Sequence, residues 1–200
     1  MNDRSNNKIP SRRAIILDGS KKDDDEAILA AATIHAELKK LDIQFSHHVL
    51  RDMKIASCTG CLKCWTKTPG ECLIGDRERQ ICDDMASSDL VILITPVTFG
   101  GYSSELKKGM DRMIPVLLPF FRKYGGETHH PSRYGNEWNI LGVGTIPAHD
   151  PEKEDLFKDI VVRNSLNLHS RSITSVVLSK GCSKELIDRN VIAGLRGVVA

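Results

Sequence analysis

Four cysteines fall within fifteen residues, Cys58, Cys61, Cys64 and Cys72, in the spacing C-x2-C-x2-C-x7-C. Two-residue gaps let successive thiolates turn back on one centre. The longer arm, loosened by Pro69-Gly70, lets a fourth close the tetrahedron. Four thiolates in one short run suit an iron–sulfur cluster. A loop of empty or partly oxidised thiols is the second reading; structural zinc, which more often takes two separated C-x2-C pairs or Cys/His pairs, is the weakest. Residues Met1 to Arg13 are polar and carry no apolar signal core, which predicts a cytoplasmic chain whose clustered thiols are ligands or redox groups rather than disulfide staples. The remaining two cysteines read differently: Cys82 sits on the inward stripe of a helix, and Cys182 looks incidental.

The rest of the chain must hold this loop. Its 200 residues suit one domain with one core, and 28 basic against 26 acidic residues leave a net charge of +2. That balance points to neither nucleic acid nor an anionic membrane as partner. No apolar run approaches the roughly 20 residues of a membrane span. Residues 1–11 predict a disordered tail, and residues 12–200 one domain with an inserted cysteine loop at 57–72.

Short apolar runs at Ala14–Leu17, Leu90–Ile94, Ile140–Gly144 and Ile173–Leu178, with a less apolar one at Ile43–Leu50, predict five strands. The polar character of Ile43–Leu50, which carries His47-His48, suits an edge. Between the strands, helical periodicity predicts helices over Ala27–Lys40 (inward Ile28, Ala31, Ala32, His35 and Leu38), Asp76–Met85, Ser103–Leu118 with a bend at Pro115, and Ser183–Leu195. A further helix starts at Asp150-Pro151, an N-cap followed by proline at the first helical position, and runs to about Leu168. The stretch from Pro119 to Asn139 reads as a long loop. Its His129-His130 pair is read as a lid or substrate pocket or, more simply, as a solvated loop.

Strict strand–helix alternation implies an α/β fold: a parallel sheet covered on both faces by right-handed crossovers. Ligands of such sheets bind beyond the carboxyl ends of the strands. The loops at Gly19–Glu26, Ser57–Cys72, Thr95–Ser103 and Thr145–His149 are therefore expected to meet on one edge.

Gly19-Ser20 after the first strand, the run Thr95-Pro96-Val97-Thr98-Phe99-Gly100-Gly101 with Glu105-Leu106-Lys107 and Asp111-Arg112 behind it, and the four-cysteine loop together resemble the NAD(P)H-dependent FMN reductase group of the flavodoxin-like fold. The cysteine spacing is more narrowly similar to that of the iron–sulfur flavoproteins. The resemblance implies a flavodoxin-like three-layer sandwich with strand order 2-1-3-4-5, FMN at the switch between strands one and three, a [4Fe-4S] cluster on the four cysteines, NAD(P)H as co-substrate, and a homodimer or homotetramer. An FMN phosphate needs donors at a helix N-terminus, where Ser20 and Lys22 stand. The ring needs a flat wall and close backbone, which Pro96, Val97, Thr98, Phe99 and Gly100 offer, with Gly144 at the end of the fourth strand. Two departures stand out. Related phosphate loops tend to carry Asn, Gly, Ser or Thr where this chain has Asp23-Asp24-Asp25-Glu26, and Thr98 replaces a common aromatic. Four carboxylates repel a phosphate dianion, although acidic residues in a first helical turn also complement its dipole.

The function implied is an oxidoreductase passing electrons between a two-electron donor and a one-electron acceptor, either of them a small molecule or a protein. The alternative is a non-catalytic metal- or redox-sensing or binding protein that has lost FMN.

Overall fold

The computed structural model describes residues 12–199; the tail expected at 1–11 lies outside them. Five strands form one parallel sheet. In chain order they are β1 (Arg13–Asp18), β2 (Gln44–Val49), β3 (Leu90–Pro96), β6 (Asn139–Ile146) and β7 (Ile173–Ser179), and their spatial order is β2-β1-β3-β6-β7. Counted within this sheet alone, that is the expected 2-1-3-4-5. The intervening β4 (Arg122–Tyr124) and β5 (Glu127–His129) make a separate antiparallel hairpin.

Alternation along the strands divides the core in two. Ala14, Ile16, Ile92, Ile94, Leu141 and Val143 pack under α1 (Asp25–Lys40) and α6 (Lys184–Val199). Ile15, Leu17, Val91, Leu93 and Ile140 face the layer holding α3 (Glu78–Ala86), α4 (Ser104–Asp111) and α5 (Pro151–Asn167). Because both faces are covered, β1, β3 and β6 read as unbroken apolar runs. Asp150 caps α5 as its sequence suggests, accepting from the Lys153 N–H at 3.2 Å.

Three local features differ from expectation. The inward face of α1 is Ala27, Ala30, Ala31, Ile34 and Leu38, while Ile28 is half exposed; the small alanines let the helix sit close to the sheet. The helix predicted over Ser103–Leu118 ends at Asp111 and resumes only as a 3-10 turn at Ile114–Val116. Pro115 has no N–H to donate and would clash with the carbonyl four residues back. The long loop at 119–139 contains the β4–β5 hairpin, turned by Gly125 and Gly126 at φ 56° and 85°, the left-handed pair that a tight hairpin turn requires. No helix among the described residues is long and apolar enough to cross a membrane.

Trp138, fully buried just before β6, donates from Nε1 to the Met85 carbonyl at 3.0 Å and so ties α3 to the sheet. Trp138→Ala is expected to lower the unfolding free energy in urea by about 3–5 kcal/mol, whereas Trp138→Phe, losing the hydrogen bond but little volume, is expected to cost less. A loss under about 1 kcal/mol for the alanine variant would mean that the site collapses freely.

Candidate functional site

A groove of about 330 Å³ opens beyond the carboxyl ends of β1, β3, β6 and β7. Its lining includes Lys21, Asp23 to Glu26, Pro96, Val97, Thr98, Thr145, Ile146, Pro147 and Lys180. Pro96, Val97 and Thr98, read from the sequence as the wall for a flavin ring, line this groove. Behind them, a Cβ on Gly144 would come within 2.8 Å of Val97 Cγ2 and 3.0 Å of Phe157, so this glycine lets Val97 lie back from the groove. Phe99 and Gly100 occupy the tip of a tight turn at φ 51° and 77°, closed by reciprocal Thr98–Gly101 backbone bonds of 2.9 Å. The Phe99 side chain is 99% exposed and is no part of the groove wall. Lys180 was not singled out from the sequence, because the apolar signal of β7 stops at Leu178 and gives no hint that the next loop turns inward.

The β1–α1 loop is built from packing as much as from chemistry. A Cβ on Gly19 would approach Leu106 Cβ within 2.6 Å, and the Ser103 hydroxyl donates to the Gly19 carbonyl at 2.7 Å, so α4 seats directly on this turn. Ser20 is buried. Its N–H donates to Asp18 Oδ1 at 2.8 Å, while Arg51 donates to its carbonyl and hydroxyl at 3.1 and 3.2 Å. Burial would push the Asp18 carboxyl up, but hydrogen bonds from His47 and Ser20 outweigh it and hold the group below its usual range. Lys22 is exposed and lies outside the groove lining. At the head of the groove Asp24 caps α1, accepting from the Ala27 N–H at 3.0 Å and from the Thr145 hydroxyl at 2.6 Å. Glu26 accepts from the Gly181 N–H at 2.6 Å. The Pro96–Thr98 end of the groove, with Ile146 and Pro147, is uncharged; the carboxylate-filled head does not suit a phosphate monoester.

The cysteine loop forms a second centre. Cys58, Cys61, Cys64 and Cys72 line one mostly apolar pocket with Leu73, Ile74, Arg112 and Ile114. Gly60 and Leu62, both left-handed at φ 64° and 52°, turn the chain back on itself, and the one-turn helix α2 (Lys63–Thr66) carries Cys64 inward. The Gly60 N–H donates to Cys58 Sγ at 3.5 Å. The N–H of Lys63, then the Thr59 hydroxyl, lower the Cys61 thiol, whereas burial first, then the charges of Cys72, Cys61 and Cys58, raise that of Cys64. The four sulfurs therefore feel one another, although among the described residues no group of three or more His, Cys, Asp or Glu is arranged to hold a single metal ion. A polynuclear cluster spreads its ligands wider than one ion does, and the thiolate donor set with its apolar lining fits such a group.

Arg112 fastens the loop. Its guanidinium, 2% exposed, donates to the Ala56 carbonyl at 3.1 Å, to the Ile74 carbonyl at 3.3 Å and to the Asp76 carboxylate, so both flanks of the loop end on one cation. Asp76 and Cys72 hold its proton on against the cost of burial. Arg79 grips the Cys72 carbonyl at 3.1 and 2.9 Å, and Trp65 donates to the Ile114 and Leu117 carbonyls while packing on His130 at 4.6 Å. The expected meeting of four loops on one edge is thus only three-fold: the groove and the thiol pocket share no lining residue, because Arg112 draws the cysteine loop to the end of α4. His129 is buried and bonded to Asn167 at 3.1 Å, and with His130 it lines a cavity of about 370 Å³ between α4, the hairpin and α5. His149 is exposed, 2.7 Å from Glu154. Cys82 is buried in the core, its thiol pushed up by burial.

A match to the family of NADPH-dependent FMN reductases covers residues 12–129, and the chain belongs to that family. An iron–sulfur flavoprotein of Archaeoglobus fulgidus is 34% identical over 152 residues, 66% of this chain and 67% of the relative. Another, of Methanocaldococcus jannaschii, is 41% identical over 71 residues, a match spanning only 36% of either chain. Among solved structures, an NAD(P)H:quinone oxidoreductase of Methanothermobacter marburgensis superposes with TM-score 0.73 at 9% identity, covering 95% of this chain and 98% of its own. An FMN-dependent NADH-azoreductase of Bacillus anthracis gives 0.62 at 16%, covering 94% and 99%. These two likenesses establish the fold.

Beneath the cysteine loop lies Glu78, fully buried with neither carboxylate oxygen hydrogen-bonded. Burial, offset by Arg112 and reinforced by Asp76, raises it from 4.5 to about 8. A carboxyl raised on folding contributes stability that is complete below the unfolded value and is lost as pH rises through the folded one. The protein is expected to lose up to ~1.4 kcal/mol per pH unit from this group between about pH 5 and 8. Glu78→Gln should flatten that slope in urea denaturation series; an unchanged slope would show that Glu78 ionises freely.

Proposed function

We propose that this protein is an NAD(P)H-dependent FMN-type flavin oxidoreductase in which the flavin ring lies in the groove against Pro96, Val97 and Thr98, and Cys58, Cys61, Cys64 and Cys72 hold a [4Fe-4S] cluster. The observation that carries the reading is the convergence of four thiols on one apolar pocket, in a chain of the NADPH-dependent FMN reductase family with relatives named as iron–sulfur flavoproteins. A bound flavin supplies exchange between hydride and single electrons, and a cluster supplies one-electron storage.

The chain's own residues do the positioning. Pro96 and Val97 give the groove a stiff wall, and Gly144 keeps Val97 out of the ring's space. Arg112 places a fixed positive charge beside Cys72, which offsets the mutual repulsion of four thiolates. Leu73, Ile74 and Ile114 give the thiols an apolar backing, against which Cys64 is buried while Cys58 and Cys61 stay open to solvent. On this reading residues 12–200 act as one domain, in a reducing cytoplasm, as a homodimer or homotetramer, with a small molecule or a protein as electron partner.

The test is anaerobic titration of flavin-loaded protein with NADH and NADPH, with transfer to a one-electron dye read in parallel. One nucleotide is expected to bleach the flavin. Cys58→Ser and Cys72→Ser are expected to keep that bleaching and lose at least about tenfold in dye reduction, while Cys182→Ser loses neither. Flavin that neither nucleotide reduces, or dye reduction untouched by the loop variants, would overturn the proposal.

A further inference from the structure

Three donors at the head of the groove, the Ala27 and Gly181 N–H groups and the Thr145 hydroxyl, are already engaged by the chain's own carboxylates. A helix N-terminus is ordinarily an anion site. At α1 the first-turn N–H of Ala27 goes to Asp24 Oδ1 at 3.0 Å, and the other oxygen of the same carboxylate takes the Thr145 hydroxyl at 2.6 Å. Across the groove the Gly181 N–H, just after β7, goes to Glu26 at 2.6 Å. Asp23 and Asp25 stand exposed on the same rim, so the lining presents four carboxylates against the ammonium groups of Lys21 and Lys180. The opposite end is uncharged, with Pro96, Val97, Thr98, Ile146 and Pro147.

A phosphate dianion brought to this head meets four carboxylates, and the Ala27, Thr145 and Gly181 donors are taken by two of them. Hydroxyl groups meet the reverse, because a carboxylate accepts strong hydrogen bonds from O–H donors. We propose that the groove selects flavins without a terminal phosphate, riboflavin rather than FMN, and that Asp24 and Glu26 are the residues that set this choice. The ribityl hydroxyls donate to the carboxylates that turn phosphate away. The inference rests on the flavin reading of the groove given above.

Equilibrium titration of the full-length protein with riboflavin and with FMN, followed by flavin fluorescence, tests it. At low salt riboflavin is expected to bind about tenfold tighter than FMN. Near 1 M salt, where the Debye length falls to about 3 Å, the gap should narrow through a gain in FMN affinity alone. Asp24→Asn keeps a capping side chain on α1; combined with Glu26→Gln it is expected to bring FMN within about threefold of riboflavin, through a gain in FMN affinity and a loss of riboflavin affinity as its hydroxyls meet neutral amides in place of carboxylates. FMN bound as tightly as riboflavin by the native chain would overturn the inference and leave the flavin reading standing. Binding of neither flavin would overturn both. Should the double variant fail to fold, the salt series on the native chain decides the question.

Discussion

A guanidinium removed from solvent at the end of α4 is the contact on which the unusual part of this fold turns. Arg112 cannot be deprotonated, so its burial has to be matched by acceptors. Those acceptors are the carbonyls of Ala56 and Ile74 and the carboxylate of Asp76. They lie on either side of the four cysteines, so holding the two terminal nitrogens of one cation closes the loop at its base. The loop needs this external fastening because its own secondary structure is one four-residue helical turn, too short to stand alone. Arg112 is delivered to its place by the early end of α4, and that end follows from Pro115. One proline, one arginine, two flanking carbonyls and the Asp76 carboxylate thereby hold the four thiols of the loop onto a common pocket.

The parallel sheet imposes the second constraint. Its covered faces leave the carboxyl edge as the place where loops can differ without disturbing the core. Close packing there is severe: Gly19 is pressed by Leu106 and Ser103, and Gly144 by Val97 and Phe157. The groove is therefore held by backbone and small residues, and its chemistry is left to a few side chains at its head. In this chain four of those side chains are acidic, against two lysines. The same Asp24 both stabilises the first turn of α1 and bonds across to Thr145 at the end of β6, so a structural cap and the character of the binding site are one group.

Much of this was legible in the residues alone. The continuous apolar runs of β1, β3 and β6 announce strands buried on both faces, and the polar β2 with His47-His48 announces an edge, because burial and composition are directly linked. The cysteine spacing marked its own importance. What was not legible depended on distant partners or on elements too short to show a period. The three-residue strands of the hairpin carry no alternation to detect, and only Gly125-Gly126 hints at them. Ser20 and Phe99 were read as groove residues from their neighbours in sequence, yet Arg51 covers the first and a left-handed turn throws the second into solvent. Asp111-Arg112 was visible as part of a resemblance, but that its side chain would end on residues 56, 74 and 76 is a matter of tertiary folding. The acidity of 23–26 was plain, whereas the occupation of Ala27, Thr145 and Gly181 donors required the assembled loops.

On the proposed function, Cys58, Cys61, Cys64 and Cys72 would hold one iron–sulfur centre in a flavin-dependent member of the NADPH-dependent FMN reductase family. The most direct measurement is an absorption spectrum of anaerobically purified protein, with iron, zinc and acid-labile sulfide assayed on the same sample. The account predicts flavin bands over a broad iron–sulfur shoulder, with about four iron and four sulfide per chain. Stoichiometric zinc without sulfide, or thiols free of any metal in protein handled without oxygen, would contradict it.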